Sequence, residues 1–180
     1  MTLLTRLLCA ALACLPLIAA APAASASSEP PIGGAVLRHL PPGLGTSTDF
    51  SYEFARVSFA ARVWESGSDA DGWRVDLDVV VMYGGRLRTP RALHDWFIRY
   101  EQRPPSEARY RPVRMHGRRG WACRDQVFWL VRPGAALSVR LDRSRWSRRE
   151  LFRTARGVRL PWFPQPPLMT ETGTRSSLAG

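Results

Sequence analysis

The sequence predicts an α+β domain: an antiparallel sheet of about five strands with two helices packed on one face, in the order β-β-α-β-β-β-α. Three observations carry this. Apolar residues alternate with a period of two through residues 54–64 and 73–83. The period changes to a helical one after Gly84-Gly85, and a capping box at Ser147-Arg148-Arg149-Glu150 opens a second helical run near the end.

In chain order, Val57, Phe59, Ala61 and Val63 oppose Arg56, Ser58 and Arg62, the pattern of a half-buried strand. Val75, Leu77, Val79 and Val81 then oppose Arg74, Asp76 and Asp78, and the stretch Ser66 to Gly72 between them is rich in turn residues, so the two runs form a hairpin. In the next segment Thr89 is a cap and Pro90 suits the first helical position, because its missing N–H has no partner there in any case. Leu93, Trp96, Phe97 and Tyr100 share one face; Arg91, Asp95 and Arg99 line the other; Pro104-Pro105 sets the end.

Residues 111–116 read as a third strand. Residues 126–132 are apolar on both faces at Phe128, Trp129 and Leu130, and Pro133-Gly134 turns them into 136–141, which places this hairpin in the middle of the sheet. The last helix, to about Val158, carries Leu151, Phe152, Ala155 and Val158 on its apolar stripe.

Around this body the sequence divides into a signal peptide (1–26), an extended N-terminal segment (27–49), a single domain (50–160) and a Pro-rich, polar C-terminal tail (161–180). Arg6, the apolar run from Leu7 to Ala21 and the small residues Ala24-Ser25-Ala26 are the three parts of a secretory signal. The expected location is therefore extracellular or cell-envelope associated after cleavage near Ala26, without a transmembrane span in the mature chain; retention of the segment as an anchor is the alternative. Cys9 and Cys14 leave with it. Cys123 then stands alone, and the fold must be held by packing rather than by a disulfide.

The formal charge is +11, and every cationic side chain is arginine. Arginine-only usage beside abundant Ala, Gly and Pro fits the codon bias of a GC-rich genome. The distribution is not explained that way. Residues 27–85 hold four Arg against eight acids, and residues 86–180 hold twenty-one against seven. That asymmetry favours an anionic partner. On the last helix Arg149, Arg153 and Arg156 fall at helical spacing as a cationic ridge, flanked by Arg143, Arg145 and Arg148. Their planar forks suit phosphate, sulfate or carboxylate groups, so the expected partner is an anionic envelope polymer, a membrane surface or an acidic protein.

Phe128-Trp129, Gly134, Leu137-Ser138-Val139 and Ser147-x-x-Glu150-Leu151 with Ala155 resemble the closing hairpin and helix of bacterial envelope domains related to anti-sigma-factor regulators and lipoprotein carriers. Most of the mature chain is also similar to uncharacterised secreted proteins of GC-rich bacteria. The resemblance implies an antiparallel sheet with helices on one face and a non-catalytic sensing or carrying role.

Chemistry-bearing patterns are sparse. Asp69-Ala70-Asp71-Gly72 is explained by a hairpin turn better than by a calcium loop, whose first ligand would fall on Gly67. His39, His94 and His116 have no metal-ligand spacing, and no cofactor fingerprint is present. Cys123, seven residues after His116 and two before Asp125, allows a small secreted hydrolase as the alternative function. Trp121, Trp129 and Trp146 amid basic charge allow a second alternative, extracellular nucleic-acid binding, which export disfavours. The favoured expectation is a secreted, non-catalytic binding or regulatory module of the cell envelope.

Overall fold

Side-chain alternation along the central strands sends apolar residues to both faces of one sheet, and each face has its own helical cover. The computed structural model describes residues 29–104 and 106–161. Its elements are β1 (Val36–Leu37), β2 (Thr46–Phe54), β3 (Val57–Ser68), β4 (Gly72–Tyr83), α1 (Pro90–Glu101), β5 (Arg111–Met115), β6 (Arg118–Ala122), β7 (Gln126–Arg132), β8 (Ala135–Leu141), α2 (Arg148–Gly157) and β9 (Val158–Arg159). Seven strands form an antiparallel sheet in the order β2-β3-β4-β8-β7-β6-β5, and β1 pairs with β9 separately. The hairpin β7–β8 occupies the middle, as its two apolar faces require.

The α+β class, the antiparallel pairing and the two helices hold, but the sheet has seven strands rather than five. The added strands are the ones with the weakest apolar pattern. Every residue of β2 is exposed, because it forms an edge, and β6 opens Arg118-Arg119-Gly120 before its first large apolar side chain. Neither presents the alternation that burial on one face imposes.

The helices do not share a face. On one side Leu93, Trp96 and Phe97 of α1 pack with Phe59, Val80, Met82, Phe128 and Leu130. On the other, Leu151 and Ala155 of α2 pack with Leu77, Val79, Val127, Trp129 and Val139. Neighbouring residues of β4 and β7 thus belong to different cores, and a single helical layer would leave one of them wet. The segment ahead of β2 is not a free extension either, since Ile32, Ala35 and Leu37 are buried in the α2-side core. Residues 1–28 and 162–180, which contain the expected signal peptide and nearly all of the expected tail, lie outside the described residues. Among the described residues no helix is long and apolar enough to cross a membrane.

Both helix starts follow the sequence. Thr89 Oγ1 accepts from the Ala92 N–H at 3.1 Å, and Ser147 Oγ accepts from the Glu150 N–H at 3.2 Å. The Glu150 carboxylate, expected to close the capping box, instead pairs with His39.

The β2–β3 connection is a two-residue turn, Ala55-Arg56, with φ of 50° and 62°. Left-handed backbone at both positions is the geometry that Asn-Gly adopts readily and that most other residues with a β-carbon adopt at a cost. Replacing Ala55-Arg56 by Asn-Gly should raise the unfolding free energy by about 1 kcal/mol, checked by chemical denaturation.

Candidate anion-binding site

Apolar packing on the α1 side of the sheet gives way to a polar network where the helix ends. Gln102 closes α1 in left-handed conformation (φ 48°), its N–H donating to the Ile98 carbonyl at 3.3 Å, and the chain turns so that the next residue, Arg103, folds inward. The Arg103 side chain is only 6% exposed. Its Nε donates to Glu101 Oε2 at 3.0 Å and its Nη1 to Asp125 Oδ1 at 2.8 Å. Arg140 of β8 reaches the same two carboxylates, 3.5 Å from Glu101 and 3.6 Å from Asp125.

Neutral side chains complete the seam. Gln126 Nε2 donates to Glu101 Oε1 (3.2 Å) and lies 3.1 Å from Ser138 Oγ, while the Tyr110 hydroxyl donates to Gln126 Oε1 at 2.7 Å. Burial alone would raise the Asp125 carboxyl, but hydrogen bonds from Arg103 and Cys123 hold it below the usual carboxylate range. Arg103 sheds its proton less readily than a free guanidinium, for although burial opposes the charge, Asp125 and Glu101 outweigh it.

The solvent side of this network opens into a cleft of about 710 Å³. Six arginines line it: Arg74, Arg103, Arg109, Arg124, Arg140 and Arg143. The carboxylates among its walls are Asp76, Glu107, Asp125 and Asp142, with Arg74 lying 3.3 Å from Asp142. Three buried guanidinium nitrogens of these residues, Arg103 Nη2, Arg140 Nε and Arg143 Nε, have no hydrogen-bond acceptor. An unsatisfied buried donor costs about 1–3 kcal/mol, and more for a charged group, so three in one cleft are a departure that calls for a cause.

The arginines expected as a ridge divide into groups. Arg149, Arg153 and Arg156 are exposed on α2, the first two without an ion pair or hydrogen bond among the described residues. Arg156 stacks on Phe152 at 5.6 Å. Arg148 lies over the same ring at 5.2 Å and donates to the Cys123 carbonyl at 3.1 Å, which ties the ridge to the loop carrying Arg124 and Asp125. Arg143 lines the cleft and donates to the Trp146 carbonyl. Arg145 is committed internally. It donates to Asp76 Oδ1 at 2.6 Å and to the Gly43 carbonyl at 2.7 Å, and lies over Trp146.

Arg103, Arg109, Arg124 and Arg140 were not singled out in the sequence. Arg140 had a signal: a charged residue on a strand expected at the centre of the sheet needs internal partners. The others come from loops with no period to reveal them.

The hydrolase pair is not assembled. His116 sits at the β5–β6 turn and contacts Arg159, and Cys123 follows the far end of β6, roughly 20 Å away at the rise of an extended chain. Burial raises the Cys123 thiol above its ordinary range, against thiolate chemistry. His116 is shifted the other way, by burial and by Arg159. Trp121 and Trp129 are core residues and Trp146 is covered by Arg145, so these rings offer no open stacking platform. Among the described residues no three His, Cys, Asp or Glu side chains are grouped to hold a metal ion. No protein-family model, curated protein or solved structure matches the chain.

Proposed function

We propose that this chain is an exported, non-catalytic module that binds an anionic polymer of the cell envelope through the arginine cleft, with the α2 ridge as an electrostatic approach surface. The observation that carries the reading is that three arginines of one cleft wall, Arg103, Arg140 and Arg143, each keep a buried guanidinium nitrogen without a hydrogen-bond acceptor. Phosphate, sulfate or carboxylate oxygens entering the cleft, with small rotations of these side chains, supply acceptors that the protein itself lacks. A cleft favours a chain that projects its charges over a membrane, whose head groups form a plane. The ridge adds long-range attraction, strongest at low ionic strength.

Arg109 and Arg124 are exposed, have no partner among the described residues, and so test the cleft without disturbing the core. Arg109→Glu/Arg124→Glu should weaken calorimetric binding of linear polyphosphate at least about tenfold with an unchanged melting temperature, a loss of about 1.4 kcal/mol or more. Arg149→Glu/Arg153→Glu/Arg156→Glu should lower affinity less, with an effect that fades as salt rises. Equal binding by the cleft variant, or tighter binding to anionic lipid vesicles than to the polymer, would overturn the assignment.

A further inference from the structure

On the far side of the same network, between α1 and the β2 edge, a smaller pocket of about 130 Å³ is walled by Phe50, Tyr52, Phe59, Phe97 and Tyr100, with Asp78 and Glu101 among its polar lining. The walls are held in place. Tyr52 stacks on Phe59 at 4.5 Å, Phe59 on Tyr100 at 4.9 Å, and the Tyr52 and Tyr100 hydroxyls lie 2.6 Å apart.

The polar side of this pocket holds a carboxylate that no ion pair neutralises. Glu101, Asp125 and Asp78 bring three negative charges to the network, while Arg103 and Arg140 bring two positive ones. Both arginines contact Glu101 and Asp125, and Asp78 feels Arg140 only without direct contact. Asp78 stands opposite Arg140 in the β4–β8 ladder yet forms no ion pair with it, and its Oδ1 is enclosed without a hydrogen-bond partner. A carboxylate in this condition should be expelled or neutralised unless something binds it. Here it is left among π faces, whose negative quadrupoles attract a cation.

We infer that this pocket binds a compact organic ammonium head, its charge set against Asp78 and its carbons against the aromatic walls. The volume fits: a cavity of about 150 Å³ accommodates a six-carbon ring, so 130 Å³ suits a head of about five heavy atoms. The site is chemically opposite to the arginine cleft and does not depend on it. It gives the exposed aromatic face of β2 a task other than covering a hydrophobic core.

Protons compete with this ligand. Burial raises the Asp78 carboxyl to about 6, with Arg140 opposing and Glu101 reinforcing the rise. The charged and titratable groups facing it are Glu101 and Tyr100 from α1, Arg140 from β8 and Tyr52 from β2, and both tyrosines are shifted upward and so stay neutral. Asp78 is the raised carboxyl of the pocket's lining, and its titration should be read in binding.

The probes are tetramethylammonium and ethylammonium, with the neutral isostere neopentane-like alcohol tert-butanol as control, followed by chemical-shift titration of the full chain. Saturable binding of at least one cation is expected, with shifts at Phe50, Tyr52 and Tyr100, and no response to tert-butanol. Affinity should fall about tenfold from about pH 7 to about pH 5 as Asp78 takes up its proton. Asp78→Asn should abolish binding while melting no lower than the parent, and should still bind polyphosphate. Binding retained by Asp78→Asn, equal uptake of tert-butanol, or no response to either cation would overturn the inference. Failure of polyphosphate binding alone would bear only on the cleft.

Discussion

Replacing Arg103 by alanine is expected to destabilise the fold by about 3–5 kcal/mol, the range for removing one partner from a buried ion pair. The side chain is nearly inaccessible and bridges two carboxylates from different parts of the chain, Glu101 at the end of α1 and Asp125 before β7. Truncation leaves both acids short of a partner, with Arg140 at 3.5 and 3.6 Å as the remaining cation. Lysine should rescue only in part, because one ammonium cannot present two fixed donors to two acceptors set apart. The double variant Arg103→Ala/Asp125→Ala should lose less than the sum of the single changes, since the second removal relieves a charge stranded by the first. Guanidinium denaturation of the parent, the two alanine variants, the lysine variant and the double variant is the measurement, and additive losses would show that the bridge is not coupled.

Asp76→Ala should produce a loss of similar size, about 3 kcal/mol, by a different route. The β3–β4 register shifts at Trp64/Glu65, so Asp76 is the extra residue of a bulge on β4. The bulge aims its fully buried carboxylate at three donors: the Gly45 N–H (3.0 Å), Ser66 Oγ (2.9 Å) and Arg145 Nη1 (2.6 Å). One carboxylate thereby ties the entry to β2 and the loop before α2 to the sheet. Alanine would strand the Arg145 charge and a backbone donor together. Burial by itself would raise the Asp76 carboxyl, but Arg145, Ser66 and Gly45 bring it below its ordinary value. Its contribution is therefore present above the unfolded-state value near 3.8 and is lost as pH falls through the lower folded-state value. The parent should lose stability on that acid limb, and Asp76→Ala should show a flatter one.

Opposite signs at neighbouring positions set apart structural and binding carboxylates. Asp76 and Asp125 are held ionised by partners and stabilise the fold near neutral pH. Asp78 is raised, so its burial favours the folded state below the unfolded-state value, and this is lost as pH rises through about 6. A chain that keeps an unpartnered carboxylate at this cost is spending stability on something other than packing, as binding sites do.

Local signals were legible in the sequence and competing long-range ones were not. Thr89, Pro90 and Ser147 act on their own next turn of backbone, and they cap the helices where the sequence places them. Glu150 belongs to the same motif, yet it reaches His39, a residue 111 positions away. The alternation in β3 and β4 marked one hairpin correctly, but β4 and β7 are apolar on both sides, and period alone does not assign a helix to either face. The cleft was the least visible feature. Its arginines come from β4, the α1–β5 connection, the β6–β7 turn, β8 and the loop beyond β8, and only the sheet order brings those segments to one end. The ridge on α2 was visible because three of its arginines share a helix, where spacing and proximity coincide.

The most direct test of the arginine cleft is the arginine Nε–H spectrum of the full chain during titration with tripolyphosphate. The Arg140 and Arg143 Nε–H groups make no hydrogen bond, Arg140 Nε lying 3.6 Å from Asp125, whereas Arg62 Nε already donates to Asp49 at 2.5 Å and serves as an internal reference. Binding in the cleft predicts saturable shifts at Arg140 and Arg143 with Arg62 unmoved. Shifts confined to Arg149, Arg153 and Arg156, growing without saturation and vanishing in salt, would contradict it and reduce the protein's basic charge to a surface property.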